Sequence, residues 1–205
     1  MKLKVCGLSN PIEVETCINN EVNFCGFILN YSKSHRYIPY EKAKKLLSID
    51  KNKVKYVGVL VEPSFIELEK FSKLNIDYFQ LYGHYNSKSL LDIKNKFQKK
   101  IITTIQVKNK SDIESYKKVE DGSDIILWDS TGYEKSLGWN HSWIKDIKIK
   151  GEKMIAGNIT IDRLDGLSKL ADIVDVSGAL ETNKIKDIEK IKNFITSVKK
   201  INNEN

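Results

Sequence analysis

Short apolar runs alternate along this chain with segments whose apolar residues recur every three or four positions. Val57–Val61 is typical of the runs, because it is almost continuous in branched apolar residues, as in parallel strands buried on both faces. Eight such runs are predicted to be strands. They are Lys2–Gly7, Phe24–Leu29, Val54–Val61, Asp77–Tyr82, Ile101–Val107, Asp124–Asp129, Lys153–Ala156 and Ile173–Ser177.

The segments between the runs have the spacing of amphipathic helices. Two of them show it most clearly, with Phe65, Leu68, Phe71 and Leu74 in one and Ile185, Ile188, Ile191 and Ile195 in the other. Asn10-Pro11 offers an N-cap followed by proline at the first helical position, and Pro63-Ser64 precedes another helix. We therefore expect helices to begin at these two places.

Strands that alternate with helices indicate βαβ units and a parallel sheet. The chain has 205 residues, which leaves about 25 for each of eight strand–loop–helix units. No linker or low-complexity tract divides it. We therefore predict an α/β fold, a single (β/α)8 TIM barrel with a closed eight-stranded parallel sheet, as one domain over residues 1–205. The polar tail 202–205 is expected to fray.

The charge pattern argues against a nucleic-acid partner. The formal net charge is +7, yet Arg36 and Arg163 are the only arginines. The lysines are spread over the predicted helices and accompanied by acids, as in 41–45, which is typical of solvated helix faces. A groove for nucleic acid usually concentrates basic residues on one face and interleaves them with aromatic residues.

Other segments indicate where the protein works. No run of about 18 apolar residues exists, so no membrane span is expected. The first strand begins at Lys2, which is not the pattern of a secretory leader. Cys6, Cys17 and Cys25 are not spaced for a zinc site or a disulfide framework. These features favour a cytoplasmic protein. The sequence does not distinguish a monomer from a homodimer.

In a barrel of this kind the active site lies at the carboxyl ends of the strands. Cys6 ends the first strand, on the same side as Lys4 if residues alternate. A neighbouring ammonium would lower the thiol pKa and make Cys6 a general base. Asp129 ends the sixth strand, where partial desolvation would suit a general acid. The alternatives are a buried structural thiol and a carboxylate that caps a loop.

Three further loops suggest anion binding. Arg36 follows the second strand in a chain that otherwise uses lysine, and a guanidinium is suited to clamping a carboxylate or phosphate. A chance surface arginine is the alternative. Gly157 and the pair Ser177-Gly178 follow strands seven and eight, where barrels often bind phosphate through backbone N–H groups.

Several strand ends also match motifs in a fixed order. The matches are Lys4-Val5-Cys6-Gly7-Leu8 to K-[IV]-C-G-[IL], Gly26-Phe27-Ile28-Leu29 to G-F-x-[FL], Ser34-His35-Arg36-Tyr37 to S-x-R-Y, Val57-Gly58-Val59-Leu60-Val61 to V-G-V-F-V, Gln80-Leu81-Tyr82-Gly83 to Q-L-H-G, Leu127-Trp128-Asp129 to L-L-D, Ala156-Gly157-Asn158-Ile159 to A-G-G-[LI], and Asp175-Val176-Ser177-Gly178-Ala179-Leu180-Glu181 to D-V-S-S-G-[VL]-E. Together they resemble the phosphoribosylanthranilate isomerase family over nearly the whole chain.

The resemblance implies an Amadori rearrangement in tryptophan biosynthesis. By resemblance, Asp129 protonates the ribose ring oxygen and Cys6 removes the proton from C2′, giving 1-(o-carboxyphenylamino)-1-deoxyribulose 5-phosphate. Arg36 would bind the anthranilate carboxylate. The substrate-binding residues implied are Arg36, Gln80, Gly157, Asn158, Ser177 and Gly178. No metal ion and no organic cofactor is implied, and the only partner is the small-molecule substrate.

The sequence departs from the family pattern at several positions. Tyr82 replaces a histidine, so the hydrogen bond of the imidazole would be altered or lost. Asn158 stands where a second glycine is usual, and Gly178-Ala179 where Ser-Gly is usual. The loop 130–139 lacks a G-G-[TS]-G run, and Trp139-Asn140-His141 only loosely matches F-D-W.

Two alternatives remain open. One is another sugar-phosphate enzyme on the same barrel, such as a ribulose-phosphate epimerase or an indoleglycerol-phosphate synthase, since a fold alone does not fix a function. An epimerase would need metal-binding histidines and aspartates at strand ends, and His35, His84 and His141 do not end strands in that way. The other alternative is a barrel that binds a phosphorylated ligand without turnover. Retention of both Cys6 and Asp129 argues against it.

Overall fold

The computed structural model describes residues 1–131 and 138–204. Eight parallel strands pair in chain order and form a closed barrel, so the predicted fold class is confirmed. Each strand lies within about one residue of its predicted position. The strands are β1 (Lys2–Cys6), β2 (Phe24–Ile28), β3 (Lys55–Val61), β4 (Tyr78–Tyr82), β5 (Lys100–Val107), β6 (Ile125–Ser130), β7 (Glu152–Ile155) and β8 (Ile173–Val176).

Closure of the barrel brings β1 between β2 and β8. Lys4 is the register partner of Phe24 on one side and of Asp175 on the other. Alternate residues therefore point into the barrel or outward to the helices. The lower interior is filled by apolar side chains such as Phe24, Tyr78 and Met154, while a larger apolar layer lies between the strands and the helices.

Within the described residues, six α-helices cover the barrel. They are α1 (Pro11–Asn19), α2 (Tyr40–Leu46), α3 (Phe65–Ser72), α4 (Ser87–Phe97), α5 (Leu164–Ser168) and α6 (Ile188–Glu204). Asn10 and Ser64 cap α1 and α3, each with a reciprocal capping box, which confirms the two predicted helix starts. Short 3₁₀ helices, 110–118 and 141–144, follow β5 and β6.

The last segment differs from the expectation at both of its ends. Ile185 lies in a two-stranded hairpin, β9 (Glu181–Thr182) and β10 (Ile185–Lys186), and is exposed instead of joining the helix. The helix α6 extends to Glu204, so residues 202–204 are helical where fraying was expected. Asn202 accepts a hydrogen bond from the N-terminal amine at 2.6 Å and donates one to the carbonyl of Met1 at 2.9 Å. These bonds join the end of the chain to its beginning.

In the two ranges that the structure describes, no helix is both long enough and apolar enough to cross a membrane.

Candidate active site

A cavity of about 250 Å³ opens at the carboxyl ends of the strands. Seven of the eight residues predicted for the site line it: Cys6, Arg36, Asp129, Gly157, Asn158, Ser177 and Gly178. Gln80 is fully buried inside the barrel and is not among the lining residues. The apolar part of the wall comes mainly from β2, β3, β8 and the loop after β7. Its main members are Ile28, Val59, Val61, Ile159 and Val176.

Cys6 lies above a buried ion pair. The ammonium of Lys4 donates to both carboxylate oxygens of Asp175 at 2.9 Å, and Lys4 is completely buried. The two residues meet because they are register partners on the neighbouring strands β1 and β8. Gly26 leaves room for them, since a Cβ atom there would lie 3.0 Å from the Cys6 sulfur and 3.1 Å from the Lys4 nitrogen.

The expected low pKa of the Cys6 thiol is wrong. Burial raises the pKa of Cys6, and the nearby Lys4 lowers it by less than burial raises it. Lys4 is already neutralised by Asp175, whose own charge also raises the pKa of Cys6. Burial lowers the pKa of Lys4 itself, but Asp175 and Cys6 outweigh that effect and leave it above its ordinary value. Lys4 and Cys6 lie on the same side of β1, as predicted, but an ion-paired ammonium is a weaker activator than an unpaired one.

Asp129 sits at the end of β6 with both carboxylate oxygens engaged. The Tyr82 hydroxyl donates to Oδ2 at 2.8 Å, and the backbone N–H of Ser130 donates to Oδ1 at 2.7 Å. Burial raises the pKa of Asp129 to about 6, and the negative charge of Asp175 adds to the increase. The hydrogen bond from Tyr82 and the ammonium of Lys4 lower this pKa, but by less. A carboxyl group with this pKa keeps its proton closer to neutral pH than a solvated aspartate does.

Tyr82, which stands where the family motif has a histidine, thus donates a hydrogen bond to Asp129. Tyr82 is the register partner of Val61 and points inward beside Asp129. Gln80 lies two residues earlier on the same inward face, and its amide nitrogen donates to the Tyr82 oxygen at 3.3 Å. Gln80 thus lies behind Tyr82, one layer below the cavity, where it supports the wall.

Arg36 is held in an ion pair that the sequence did not reveal. Its Nε donates to Glu181 Oε1 at 2.5 Å and its Nη2 to Oε2 at 2.9 Å, a bidentate geometry. Lys186 donates to the same Oε1 at 2.5 Å. Burial raises the pKa of Glu181, but Arg36 and Lys186 outweigh it and lower the pKa to about 2. Gly7 makes the approach possible, because a Cβ there would lie 2.5 Å from the Arg36 Cδ.

The loops after β7 and β8 also line the cavity. Gly157 and Asn158 both adopt positive φ, at 89° and 51°. Asparagine is among the non-glycine residues that best tolerate this region, which explains how Asn158 stands where glycine is usual. Gly178 begins a three-residue 3₁₀ turn, whose first N–H groups have no partner within the turn. The hydroxyl of Ser177 donates to the Cys6 carbonyl at 3.0 Å.

A cluster behind these loops was not predicted as part of the site. The Trp139 indole N–H donates to the Ala156 carbonyl at 2.9 Å, and Arg163 donates to the Asn158 carbonyl at 2.7 Å. Arg163 also donates to His141 Nδ1 at 2.9 Å, so Nε2 carries the imidazole proton and donates to the Ala156 carbonyl at 3.2 Å. Burial lowers the pKa of His141 to about 4. The feature of the sequence that could have pointed to this cluster is Arg163, the second of the two arginines in the chain.

Part of the loop that departs from the family pattern lies outside the described residues. This part is 132–137, while Ser130, Thr131, Gly138 and Trp139 are described. Over the described ranges, no group of three or more histidine, cysteine, aspartate or glutamate side chains is placed to hold a metal ion.

Comparison with known proteins decides the family. The model of the family described as N-(5'-phosphoribosyl)anthranilate (PRA) isomerase matches residues 3–197. The chain belongs to this family. The N-(5'-phosphoribosyl)anthranilate isomerase of Streptococcus mutans is 33% identical over 204 residues, which cover 97% of this chain and 99% of the relative. That of Clostridium acetobutylicum is 31% identical over 209 residues, 98% of each chain.

Solved isomerases share the fold. The phosphoribosyl anthranilate isomerase of Thermus thermophilus superposes with a TM-score of 0.86 at 19% identity, over 98% of this chain and all of that one. Another isomerase crystal structure, in complex with reduced 1-(o-carboxyphenylamino)-1-deoxyribulose 5-phosphate, gives a TM-score of 0.78 at 23% identity, over 98% of this chain and 99% of that one. At these identities the likeness concerns the barrel itself.

Proposed function

We propose that this member of the isomerase family converts N-(5'-phosphoribosyl)anthranilate into 1-(o-carboxyphenylamino)-1-deoxyribulose 5-phosphate with Asp129 as general acid and Cys6 as general base. The reaction follows from family membership. The observation that supports the two roles is that a half-buried carboxyl group with a pKa raised to about 6 and a buried thiol line one cavity. The conversion is a step of L-tryptophan biosynthesis.

The first step opens the ribose ring. Asp129 gives its proton to the ring oxygen as the bond from that oxygen to C1′ breaks. The lone pair of the anthranilate nitrogen forms a double bond to C1′, so a protonated Schiff base results. The substrate nitrogen supplies the electron sink, and the chain needs to add only a proton donor and a closed environment.

The second step moves a proton away from C2′. The thiolate of Cys6 takes it, and the electrons form the C1′–C2′ double bond of an enolamine and neutralise the nitrogen. The enol hydroxyl then loses its proton while C1′ gains one, which leaves a ketone at C2′. At the end Asp129 has lost a proton and Cys6 has gained one, so exchange with solvent restores the pair.

The cavity lining offers a candidate group for each of the two anionic ends of the substrate. Arg36 already holds the carboxylate of Glu181, which indicates that its guanidinium is oriented for such a group. We propose that the anthranilate carboxylate binds Arg36 in competition with Glu181. The phosphate would bind at the turns of Gly157-Asn158 and Ser177-Gly178, where positive φ and a 3₁₀ start expose backbone N–H groups.

The substrate is a small molecule, and we propose that neither nucleic acid nor membrane is a partner and that the protein works in the cytoplasm. Lysines engaged in surface ion pairs, such as Lys94 with Asp124 and Lys150 with Asp121, support this view of the net charge. A titration against duplex DNA at two salt concentrations tests it, since a specific binder would keep substantial affinity where counterion release has abolished non-specific attraction.

The direct test follows the loss of phosphoribosylanthranilate fluorescence. The substrate is generated in place from anthranilate and phosphoribosyl pyrophosphate by a separate transferase. Cys6→Ala and Asp129→Asn are compared with two matched controls, Cys17→Ala, a buried thiol outside the cavity, and Asp146→Asn, an exposed carboxylate. Rapid loss with wild type and both controls, and a loss slowed by orders of magnitude with the two site variants, would support the proposal. Stabilisation of the protein by substrate without any turnover would overturn it and favour a binding protein.

A further inference from the structure

We propose that Tyr82, supported by Gln80, is a positioning residue that holds the carboxyl group of Asp129 in both of its protonation states and sets the pH at which it loses its proton. The inference rests on the general-acid role proposed for Asp129. It concerns a residue that departs from the family motif, and it assigns that departure a task in the reaction.

The geometry links three side chains in one line. Gln80 Nε2 donates to the Tyr82 oxygen at 3.3 Å, and the Tyr82 hydroxyl donates to Asp129 Oδ2 at 2.8 Å. Gln80 is fully buried and Tyr82 is 9% exposed, so little solvent competes for these bonds. Removing the phenol oxygen would leave Oδ2 of the half-buried Asp129 without this donor.

Gln80 also has a side-chain acceptor that the hydrogen bond to Tyr82 does not use. Its Oε1 is buried and has no hydrogen-bond partner among the residues that the structure describes. A half-turn of the amide brings Oε1 to the Tyr82 hydroxyl. The hydroxyl then donates to Gln80, and its oxygen accepts the proton of a neutral Asp129. The same three side chains therefore form a continuous chain of hydrogen bonds whether Asp129 is ionised or protonated.

Charged groups near Asp129 also affect its pKa. Lys4 on β1 and Asp175 on β8 shift the pKa of Asp129 in opposite directions, and Cys6 on β1 acts on the neighbouring Tyr82. Lys4 and Asp175 are paired at 2.9 Å, so their opposite effects on Asp129 partly cancel. Removing the Tyr82 hydroxyl therefore changes the hydrogen bonding of Asp129 without adding or removing a charge, and its bond of 2.8 Å is shorter than that of the Ser130 hydroxyl at 3.4 Å.

The barrel provides a matched control on the same strand. Tyr78 lies four residues before Tyr82, on the same inward face of β4, and packs edge-on against Phe24 with ring centroids 5.6 Å apart. It is as buried as Tyr82 but lines the other end of the barrel. Tyr78→Phe removes the same single atom from the interior without touching Asp129.

The experiment measures the pKa of Asp129 directly, without relying on turnover. Protein labelled with ¹³C at the aspartate carboxyl carbons is titrated by NMR, and the Asp129 signal is assigned by its absence in Asp129→Asn. Wild type, Tyr82→Phe and Tyr78→Phe are compared, and the dependence of kcat/KM on pH is recorded for the same three proteins.

Loss of one hydrogen bond to a carboxylate raises its pKa, by about one unit when the bond is charge-assisted. We expect this increase in Tyr82→Phe and none in Tyr78→Phe, with the acid limb of kcat/KM moving upward by the same amount in Tyr82→Phe alone. An unchanged Asp129 signal in Tyr82→Phe, or an equal shift in Tyr78→Phe, would overturn the inference. A shifted signal in a protein that never turns over substrate would instead contradict the proposed function and leave the role of Tyr82 intact.

Discussion

The surroundings of Cys6 and of Asp129 differ in kind, although both groups lie in one cavity and burial raises the pKa of both. Cys6 adjoins an ion pair, Lys4 with Asp175, in which the positive charge is already satisfied. Asp129 adjoins neutral donors, the Tyr82 hydroxyl and the Ser130 N–H. A nearby charge therefore shifts the pKa of a buried group less when that charge is already paired.

This comparison implies a resting state opposite to the one that reacts. Between a pKa of about 6 for Asp129 and the raised pKa of Cys6, the stable form is an ionised aspartate beside a neutral thiol. The reactive form has the proton on Asp129 and a thiolate on Cys6. Both forms carry one proton across the pair, so their ratio does not depend on pH in this range.

The largest expected effect comes from removing either group. Cys6→Ala and Asp129→Asn should each lower kcat by about 10²–10⁴-fold, because each removes one proton-transfer group. The unfolding midpoint in urea should stay near that of wild type. Steady-state fluorescence assays measure the loss, and a rate within a few-fold of wild type in either variant would disprove that residue's role.

Breaking the ion pair comes next. Lys4→Met leaves the Asp175 carboxylate buried without its partner, which should cost about 3–5 kcal/mol of unfolding free energy. The substitution should also raise the pKa of Cys6. Lys4 no longer lowers that pKa, whereas burial still raises it. Urea unfolding and the pH dependence of thiol alkylation measure the two effects.

The control for this variant is Lys2→Met on the same strand. Lys2 pairs with Glu152 at the exposed end of the barrel, where an ion pair contributes only about 0–1 kcal/mol. A similar loss of stability in both variants would show that burial of the Lys4–Asp175 pair is not what matters.

The pH profile sharpens the same comparison. With one proton on the reacting pair, kcat/KM should rise with pH up to about 6, stay level, and fall above the raised pKa of Cys6. Below pH 6 a second proton binds and removes the reactive form, so activity drops about tenfold per pH unit. A profile that instead falls as pH rises through 6 would mean that Asp129 reacts from its dominant form.

The smallest effect concerns the mouth of the cavity. Lys186→Met leaves Glu181 to Arg36 alone, so the substrate carboxylate should compete less well and KM should rise a few-fold with kcat unchanged. Lys184→Met, an exposed lysine of the same hairpin, is the control. A fall in kcat instead of a rise in KM would place Lys186 in the chemistry and not in binding.

Much of the fold was available from the sequence for a local reason. Residue alternation and β-branched runs depend on near neighbours in the chain, so the eight strands and the shared side of Lys4 and Cys6 followed from the pattern. The capping residues Asn10 and Ser64 act within one turn, and they were predicted correctly. Ile185 was not, because its helical spacing continues into a hairpin stabilised by pairing with Thr182.

The site divides in the same way. The strand pattern alone shows which candidate residues end a strand or follow one: Cys6, Arg36, Asp129 and the two glycine turns. A closed parallel barrel brings such strand ends to one face. Only the tertiary structure decided that Asp175 neutralises Lys4, that Glu181 occupies Arg36 and that Gln80 supports Tyr82 from below. Those pairings join residues up to 171 positions apart. Burial then sets the pKa values, and desolvation depends on what surrounds a group in space and not on its neighbours in the chain.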